Sequence, residues 1–390
     1  MRFIELLTIL PVSLAAPLLQ VEQGTTVVSG QYIIKLKYDE TAVSASTVEA
    51  LTRSLSTPPK FEYSLSGFHG FAGTLSNAEL AKLQASEHAE YIQPDVKIYT
   101  FDLVYQTPAP WGLSRISNKL PGNNTCIFDD SAGEGVCAYV IDTGIFVEHP
   151  DLEERAIRLA NFSEEEGDED GEGHGTHVAG TIGSLIYGVA KKTQLFAVKV
   201  LDSYGSGTTS GIIAGIDFVA KDAKTRNCPR GAVANLSLCG RKNTPTNQAA
   251  ATAVASGDFM AVAAGNDGVD ARYTSPASEP TVCTVGATAT NDSMPHWSNY
   301  GSFVDVLAPG ANITSLDNLG GTAEHSGTSM ATPHVTGLAA YLLALQSGTT
   351  KDLCERIARL GLDGVVKGVP TGTPNMLANN GALASSSTRR

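Results

Sequence analysis

Three reactive side chains stand where a predicted strand ends or a predicted helix begins. Asp142 closes an apolar run, His174 opens a segment of small residues, and Ser329 precedes a long apolar segment. A serine hydroxyl becomes a nucleophile when a histidine accepts its proton, and a buried carboxylate holds that histidine in the required tautomer. The three residues therefore predict nucleophilic catalysis, in which N–H groups at a helix start stabilise an oxyanion.

The elements that must position these side chains alternate between β-branched runs and helical segments. Buried strands are predicted at 138–141, 194–200, 232–237 and 259–264, and helices at 211–221 and 247–256. This rhythm predicts an α/β fold with a mostly parallel sheet and helices on both faces. Active sites of such sheets lie at the carboxyl ends of the strands.

The first hundred residues have a different character. Residues 1–16 have the basic start, apolar run and small residues of a secretory signal peptide. Residues 17–103 predict a small α+β domain, with strands near 31–37, 71–75 and 89–94 and helices near 46–55 and 76–83. Residues 104–390 would be the catalytic domain, and no later segment reaches the length of a membrane span.

The amino-acid composition limits the classes of binding partner. The net charge of −13 argues against nucleic acid, since a phosphate backbone would be repelled. Much of the surplus lies in the acidic run 164–170, shortly before His174. One interpretation is a solvated loop, and the other is a negative potential beside the substrate cleft that attracts cationic peptides.

Six cysteines are compatible with an oxidising compartment, and their spacing leaves the pairing open. They are Cys126, Cys137, Cys228, Cys239, Cys283 and Cys354. Sequons for N-glycosylation begin at Asn123, Asn161, Asn235, Asn291 and Asn312. Asn235 lies in a predicted buried strand, so we expect it to be unmodified.

The motifs around the three reactive residues resemble the signatures of the subtilisin family. They are Val-Ile-Asp-Thr-Gly at 140–144, His-Gly-Thr-His-Val-Ala-Gly at 174–180 and Gly-Thr-Ser-Met-Ala-Thr-Pro at 327–333. The chain order Asp, His, Ser is also that of subtilisin. The resemblance extends from Trp111 to about Ala384 and is greatest to the proteinase K family of fungal secreted subtilases, as segments 130–137, 187–196 and 275–280 indicate.

This resemblance implies further site residues. Asn266 would donate its side-chain amide to the oxyanion, the alternative being an Asx turn beside Gly265. His177 and His334 would be structural. An extended peptide would pair with two segments, which comprise Gly205, Ser206, Gly207, Ser237, Leu238 and Cys239. Cys239 replaces a glycine that is usual in the family, and Thr209 stands where proteinase K has a tyrosine.

The resemblance also implies disulfides Cys137–Cys228 and Cys283–Cys354. Cys126 and Cys239 have no counterpart, and could pair, remain free or pack as small hydrophobes. A structural Ca²⁺ would bind the carbonyls of Pro280 and Val282 and the carboxylate of Asp305. No cofactor is expected for catalysis.

The expected protein is a secreted, extracellular serine endopeptidase that acts as a monomer on proteins and peptides. By the resemblance, the N-terminal domain is an inhibitory propeptide that the enzyme removes itself near Leu103–Val104. Two other classes are compatible with the fold, an inactive binding protein and an esterase or transferase. The complete set of Asp142, His174, Ser329 and Asn266 disfavours the first, and the propeptide disfavours the second.

Overall fold

The computed structural model describes residues 15–21, 27–37, 45–96, 103–345 and 349–382. The expected signal peptide lies almost entirely outside these residues. The chain divides into two compact units, Met1–Thr100 and Phe101–Arg390, and the expected junction after Leu103 lies close to this division. Within the described ranges, no helix combines the length and hydrophobicity that crossing a membrane requires.

The first unit is an antiparallel sheet with two short helices. Its strands are β1 (Val27–Leu36), β2 (Phe61–Leu65), β3 (Phe68–Thr74) and β4 (Ala89–Val96), and its helices are α1 (Ala45–Thr52) and α2 (Asn77–Gln84). The described strands are ordered β2-β3-β1-β4. Alternate residues of β1, Ile34 and Leu36, are buried in a small core with Phe71, Leu83 and Ile92.

Most of this unit follows the sequence prediction. Helix α2 begins at a capping box, in which Ser76 accepts from the N–H of Glu79 and Glu79 accepts from the N–H of Ser76. Strand β2 was not predicted, because its residues are half-buried or exposed and show no buried face. It joins the sheet at the edge through β3.

The second unit contains the predicted α/β fold. Its first strands are β5 (Leu103–Gln106), β6 (Cys126–Asp129), β7 (Cys137–Asp142), β8 (Ala156–Asn161), β9 (Gln194–Lys199), β10 (Ala232–Leu236), β11 (Gly240–Arg241) and β12 (Phe259–Ala263). The remaining strands are β13 (Thr274–Ser275), β14 (Cys283–Thr288), β15 (Val306–Pro309), β16 (Ile313–Leu316), β17 (Thr322–His325), β18 (Leu362–Asp363) and β19 (Met376–Leu377). The helices are α3 (Trp111–Ser117), α4 (His174–Gly183), α5 (Thr209–Asp222), α6 (Thr244–Ala255), α7 (Thr328–Leu345) and α8 (Leu353–Leu360).

The main sheet is parallel apart from one edge pair. Over the described residues its order is β18-β19-β15-β14-β12-β10-β7-β9-β8, and only β18 and β19 pair antiparallel. Side chains of β7 alternate between two cores, with Ala138 and Val140 on the side of α4 and α7 and Tyr139 and Ile141 on the side of α5 and α6. The predicted α/β class, with helices on both faces, is confirmed.

Helix α7 lies in the middle of one layer. All but two of its residues are buried, which explains why the sequence reads as apolar on every side. Two disulfides staple this unit and join the pairs that the resemblance implies, Cys137–Cys228 and Cys283–Cys354. Cys126 is buried and Cys239 is exposed, and both are free thiols in the structure.

Candidate active site

Asp142 is held at the carboxyl end of a central strand. It is the last residue of β7 and is fully buried, and its Oδ1 accepts a hydrogen bond from the Thr143 N–H at 2.8 Å. The neighbouring strand end is fixed by Lys199, whose buried ammonium donates to the carbonyls of Thr143 and Leu201 at 2.8 and 2.7 Å. The carboxylate is therefore placed by two strand ends that cannot move independently.

His174 is the first residue of α4 and contacts Asp142 directly. Its Nδ1 lies 2.7 Å from Asp142 Oδ1, and its side chain is 27% exposed. Burial disfavours the charged imidazole, but the charge and hydrogen bond of Asp142 outweigh burial and raise the pKa of His174 to about 9, with smaller contributions from Glu172 and Asp170. The remaining ring nitrogen, Nε2, is free to accept a proton.

The start of α4 is organised by Asp170, the last residue of the acidic run. This carboxylate is buried and accepts from Thr143 Oγ1 at 2.7 Å, Gly173 N at 2.8 Å and Thr176 N and Oγ1 at 2.9 and 2.5 Å. It therefore binds the residue after Asp142 and both sides of His174. Asp170 positions the imidazole against the carboxylate.

Ser329 is the second residue of α7 and is tied to strand β10. Its hydroxyl donates to the carbonyl of Ser237 at 2.9 Å, and the Ser237 hydroxyl donates to the Ser329 carbonyl at 2.7 Å. That carbonyl is available because Pro333, four residues later, has no N–H to donate to it. Between the described residues His174 and Ser329 no hydrogen bond is formed, as is common for catalytic groups before substrate binds.

The Asn266 side chain is oriented by the residue before the serine. Its Oδ1 accepts from the N–H and hydroxyl of Thr328 at 2.8 and 2.9 Å, which leaves the amide nitrogen directed elsewhere. A β-carbon at Gly327 would lie 3.4 Å from that nitrogen and 3.6 Å from the Ser329 N. Because Gly327 has no side chain, a space remains there, and both nitrogens border it, as an oxyanion site requires.

The loop that carries Asn266 is supported by the buried Asn299. Its side-chain amide donates to Ala264 O at 2.9 Å and its carbonyl oxygen accepts from the N–H groups of Asp267 and Val269. Gly265, in the left-handed region at φ 108°, passes so close that a β-carbon there would lie 2.3 Å from Asn299 Nδ2. The position of Asn266 thus depends on a contact with a distant segment.

His174 and Ser329 line one open cleft of about 670 Å³. The same cleft is lined by all six residues predicted to pair with a peptide, namely Gly205, Ser206, Gly207, Ser237, Leu238 and Cys239. Thr209 and Glu172 line it as well. The structure thus brings the predicted nucleophile, base and substrate segments together at the carboxyl ends of β7, β9 and β10.

The two other motif histidines lie in the protein interior. His177 Nε2 lies 2.9 Å from the Ile313 carbonyl, and burial together with the nearby His325 lowers the pKa of His177 to about 3. His334 Nδ1 lies 2.9 Å from the Met330 carbonyl, and burial lowers its pKa to about 4. Both rings are neutral packing groups at ordinary pH.

None of the acidic run 164–170 lines the cleft. Glu165 accepts from Ser203 N and Oγ and lies 3.5 Å from the buried Lys199 ammonium. Asp170 is internal, and the other acids of the run are exposed. The cleft carboxylate is Glu172, two residues beyond the run.

Asp305, the predicted carboxylate ligand of calcium, lies in a largely buried environment. The Asp305 carboxylate accepts from Thr284 N at 2.8 Å, and burial raises its pKa to about 6 because no cation compensates it among the described residues. It lies within 4.8 Å of the sulfurs of Cys283 and Cys354, but these form a disulfide and are not ligands. A desolvated carboxylate hydrogen-bonded to Thr284, two residues after Val282, fits a hard cation.

Sequence reasoning missed the residues that position the site. Thr143, Thr328 and Asn299 act through long-range hydrogen bonds. Asp170 was not distinguished from a solvated acidic segment, and Glu172 lies outside that segment and was not singled out. Proximity to His174 was the available signal for the two acids. For Asn299, no pattern in the sequence indicated its role.

Comparison with known proteins gives consistent relatives for both units. A family model described as the subtilase family matches residues 133–361, and one described as peptidase inhibitor I9 matches residues 31–101. A cuticle-degrading protease of Metarhizium anisopliae is 50% identical over 394 residues, covering 98% of this chain and 100% of the relative. Proteinase T of Parengyodontium album is 53% identical over 292 residues, covering 75% of this chain and 99% of that protein.

A solved structure is similar as well. The crystal structure of a cold adapted subtilisin-like serine proteinase aligns with a TM-score of 0.67 and 42% identity. The alignment covers 70% of this chain and 99% of the other.

Proposed function

Because this chain belongs to the subtilase family of serine peptidases, we propose that it is a secreted endopeptidase that hydrolyses peptide bonds through an acyl-enzyme on Ser329. The observation that carries the proposal is the 2.7 Å contact between Asp142 and His174 in a cleft that also contains Ser329. A base oriented by a carboxylate and facing a serine is the arrangement for serine acylation.

The proposed reaction uses four side chains. Ser329 Oγ releases its hydrogen bond to Ser237, attacks the substrate carbonyl and gives its proton to His174 Nε2. Asp142 stabilises the imidazolium, while the Asn266 amide and the Ser329 N–H stabilise the oxyanion. His174 then protonates the leaving amine, and a water activated by the same imidazole hydrolyses the ester.

The test is Ser329→Ala, which removes the nucleophile. We expect a folded protein whose peptide hydrolysis falls by several orders of magnitude, because triad members act as a unit. Circular dichroism and Tm report the fold, and a blocked chromogenic peptide reports turnover. Turnover like that of the wild type in the purified variant would refute the assignment.

The N-terminal unit is proposed to be an inhibitory propeptide, with residues 1–16 as signal peptide, 17–103 as propeptide and 104–390 as catalytic domain. The match to the peptidase inhibitor I9 family supports a zymogen. Leu103 and Val104, which flank the proposed cleavage bond, pair with Asp129 and Phe128 in the β5–β6 ladder. Autocatalysis therefore requires β5 to leave β6, since a peptidase binds its substrate as an extended, unpaired strand.

Maturation is tested by mass spectrometry of wild type and Ser329→Ala expressed without other proteases. The wild type is expected to gain an N-terminus at Val104, and the variant to keep its propeptide covalently attached. Cleavage of the variant at the same bond would rule out self-processing.

Secretion is supported by the N-terminal motif and by the two disulfides, which persist in oxidising compartments. Asn123 is the proposed glycan site, since it is exposed, whereas the Asn161, Asn291 and Asn312 side chains form hydrogen bonds and Asn235 is buried. Pro280, Val282 and Asp305 are proposed to hold a structural Ca²⁺, which would neutralise the buried carboxylate. We further propose that the mature enzyme acts as a monomer.

A further inference from the structure

Glu172 places a carboxylate at the wall of the cleft, beside the base. Its Oε2 accepts the backbone N–H of His174 at 2.7 Å, and its exposed side chain lines the cleft together with His174 and Ser329. The hydrogen bond restrains the carboxylate, so its charge has a defined position.

The other side of Glu172 faces a predicted substrate segment. A β-carbon at Gly205 would lie 3.9 Å from Glu172 Cγ, so the side chain reaches from the His174 backbone to the start of the segment Gly205–Gly207. A peptide pairing with that segment must pass the carboxylate. The part of the substrate that stays on the enzyme after the amine leaves is the acyl part, and this is the part that the segment would hold.

Glu172 differs from neighbouring acids in having neither a lysine or arginine partner nor a set of enclosing donors. Glu165 is paired with Lys199, and Asp170 is enclosed by five donors. Among the ion pairs of the described residues, none includes Glu172. The other basic groups that line the cleft are Arg241, on the separate strand β11, and the His174 imidazole, which is neutral when it acts as the base. A substrate cation near His174 would therefore meet an unpaired negative charge.

We propose that Glu172 forms a subsite that prefers a Lys or Arg side chain on the acyl side of the scissile bond, in the residue adjacent to the one that is acylated. Successive side chains of an extended peptide point to opposite sides, so this residue turns away from its neighbour's pocket and towards His174. The inference rests on the proposed peptidase function and adds a substrate class to it.

The expected size of the preference for Lys or Arg follows from the solvent exposure of the ion pair that Glu172 would form with the substrate. An ion pair at an open cleft is expected to raise kcat/KM roughly two- to fivefold for Lys over its neutral counterpart, the range of exposed ion pairs. The preference should shrink with salt, because the screening length falls from about 10 Å at 0.1 M to about 3 Å at 1 M.

The experiment compares three blocked peptides that carry Lys, Gln or Glu at this position and are otherwise identical. Glu172→Gln removes the charge and keeps an oxygen that accepts the His174 N–H. Glu169→Gln is the matched control, since it makes the same charge change three residues earlier at an exposed side chain outside the cleft. Using the ratio of two peptides within each variant cancels any common loss of turnover.

We expect the Lys/Gln ratio of kcat/KM to fall to about 1 in Glu172→Gln and to keep its wild-type value in Glu169→Gln. Glu172→Lys should reverse the order and favour the Glu peptide, and it provides a second test if the Gln variant folds poorly. An unchanged ratio in Glu172→Gln, or an equal loss in both Gln variants, would overturn the subsite. If the wild type cleaved none of the peptides while Ser329→Ala behaved identically, the peptidase function itself would fail.

Discussion

Asp170 and Glu172 show how closely neighbouring carboxylates can differ in role. Asp170 is buried and saturated with hydrogen bonds, so it acts on the geometry of the strand end and of α4. Glu172 is exposed at the cleft and its carboxylate accepts a single hydrogen bond, from the His174 backbone N–H, so its charge is available to a ligand. The environment of each side chain, more than its chemistry, determines whether it builds the site or faces the substrate.

The pH dependence of turnover should reflect the raised pKa of His174. The base acts when neutral, and the carboxylates of Asp142, Glu172 and Asp170 favour its protonated form against burial. With a neutral blocked peptide, kcat/KM is expected to rise with pH above the ordinary histidine value of 6.5, to reach half its maximum near pH 9 and to level off only above that pH. A profile that is already flat at pH 6.5 would show that the carboxylates do not raise the pKa of His174.

Asn266→Ala should separate oxyanion stabilisation from substrate binding. We expect kcat to fall roughly 10²- to 10³-fold with little change in KM, since the amide would act mainly in the transition state. Asn124→Ala, at an exposed asparagine outside the cleft, is the control, and it keeps the sequon that begins at Asn123. A change confined to KM would instead make Asn266 a ground-state binding residue.

At the scale of elements, the site depends on helix starts clamped to strand ends. Helix α4 is held to β7 by Asp170 and Thr143, and α7 is held to β10 by the reciprocal bonds between Ser237 and Ser329. Pro333 contributes by freeing the Ser329 carbonyl for the second clamp. These contacts fix the relative position of helices whose own sequences contain no information about each other.

Asp170→Asn tests the first clamp. The new amide group would face donors, so we expect a loss of about 2 kcal/mol of stability, as for an unsatisfied buried group. Displacement of His174 by even 1 Å should lower kcat by about 10²-fold with little change in KM. Titration of the active fraction with a serine-reactive reagent distinguishes the two effects, because a purely structural role would leave the kcat of the folded fraction unchanged.

At the scale of the whole molecule, two disulfides and a proposed cation stabilise the catalytic unit away from the cleft. Cys283–Cys354 joins β14 to α8, and the Asp305 carboxylate lies beside it. The folded-state pKa of Asp305, about 6, is above the ordinary value of 3.8. Without a cation this group therefore favours folding at low pH, and that contribution disappears as pH rises through about 6.

Calcium removal should destabilise the protein, because it leaves the buried Asp305 carboxylate without a compensating cation. A chelator is expected to lower the Tm of the mature enzyme by on the order of 5 °C at neutral pH, with a smaller effect near pH 4, where the carboxyl is protonated. Asp305→Asn should largely abolish the response to calcium. Equal chelator effects in wild type and variant would place the cation elsewhere.

The sequence by itself determined the fold class and the family. The spacing of hydrophobic residues that distinguishes a strand from a helix involves only residues close in sequence. The motifs around Asp142, His174 and Ser329 are likewise short segments, and adjacent residues set their geometry at a strand end or helix start. It could likewise name Asn266 and the cleft segments as candidates, because a resemblance transfers positions one at a time.

Only the tertiary structure decided which neighbours these residues meet. Whether an acid of the sequence 164–172 is buried, paired or open depends on Thr143, Lys199 and Gly205, which lie far along the chain. The free state of Cys126 and Cys239 and the support of Asn266 by Asn299 were decided in the same way. Burial and charge pairing arise from contacts between distant segments, and a local pattern cannot specify them.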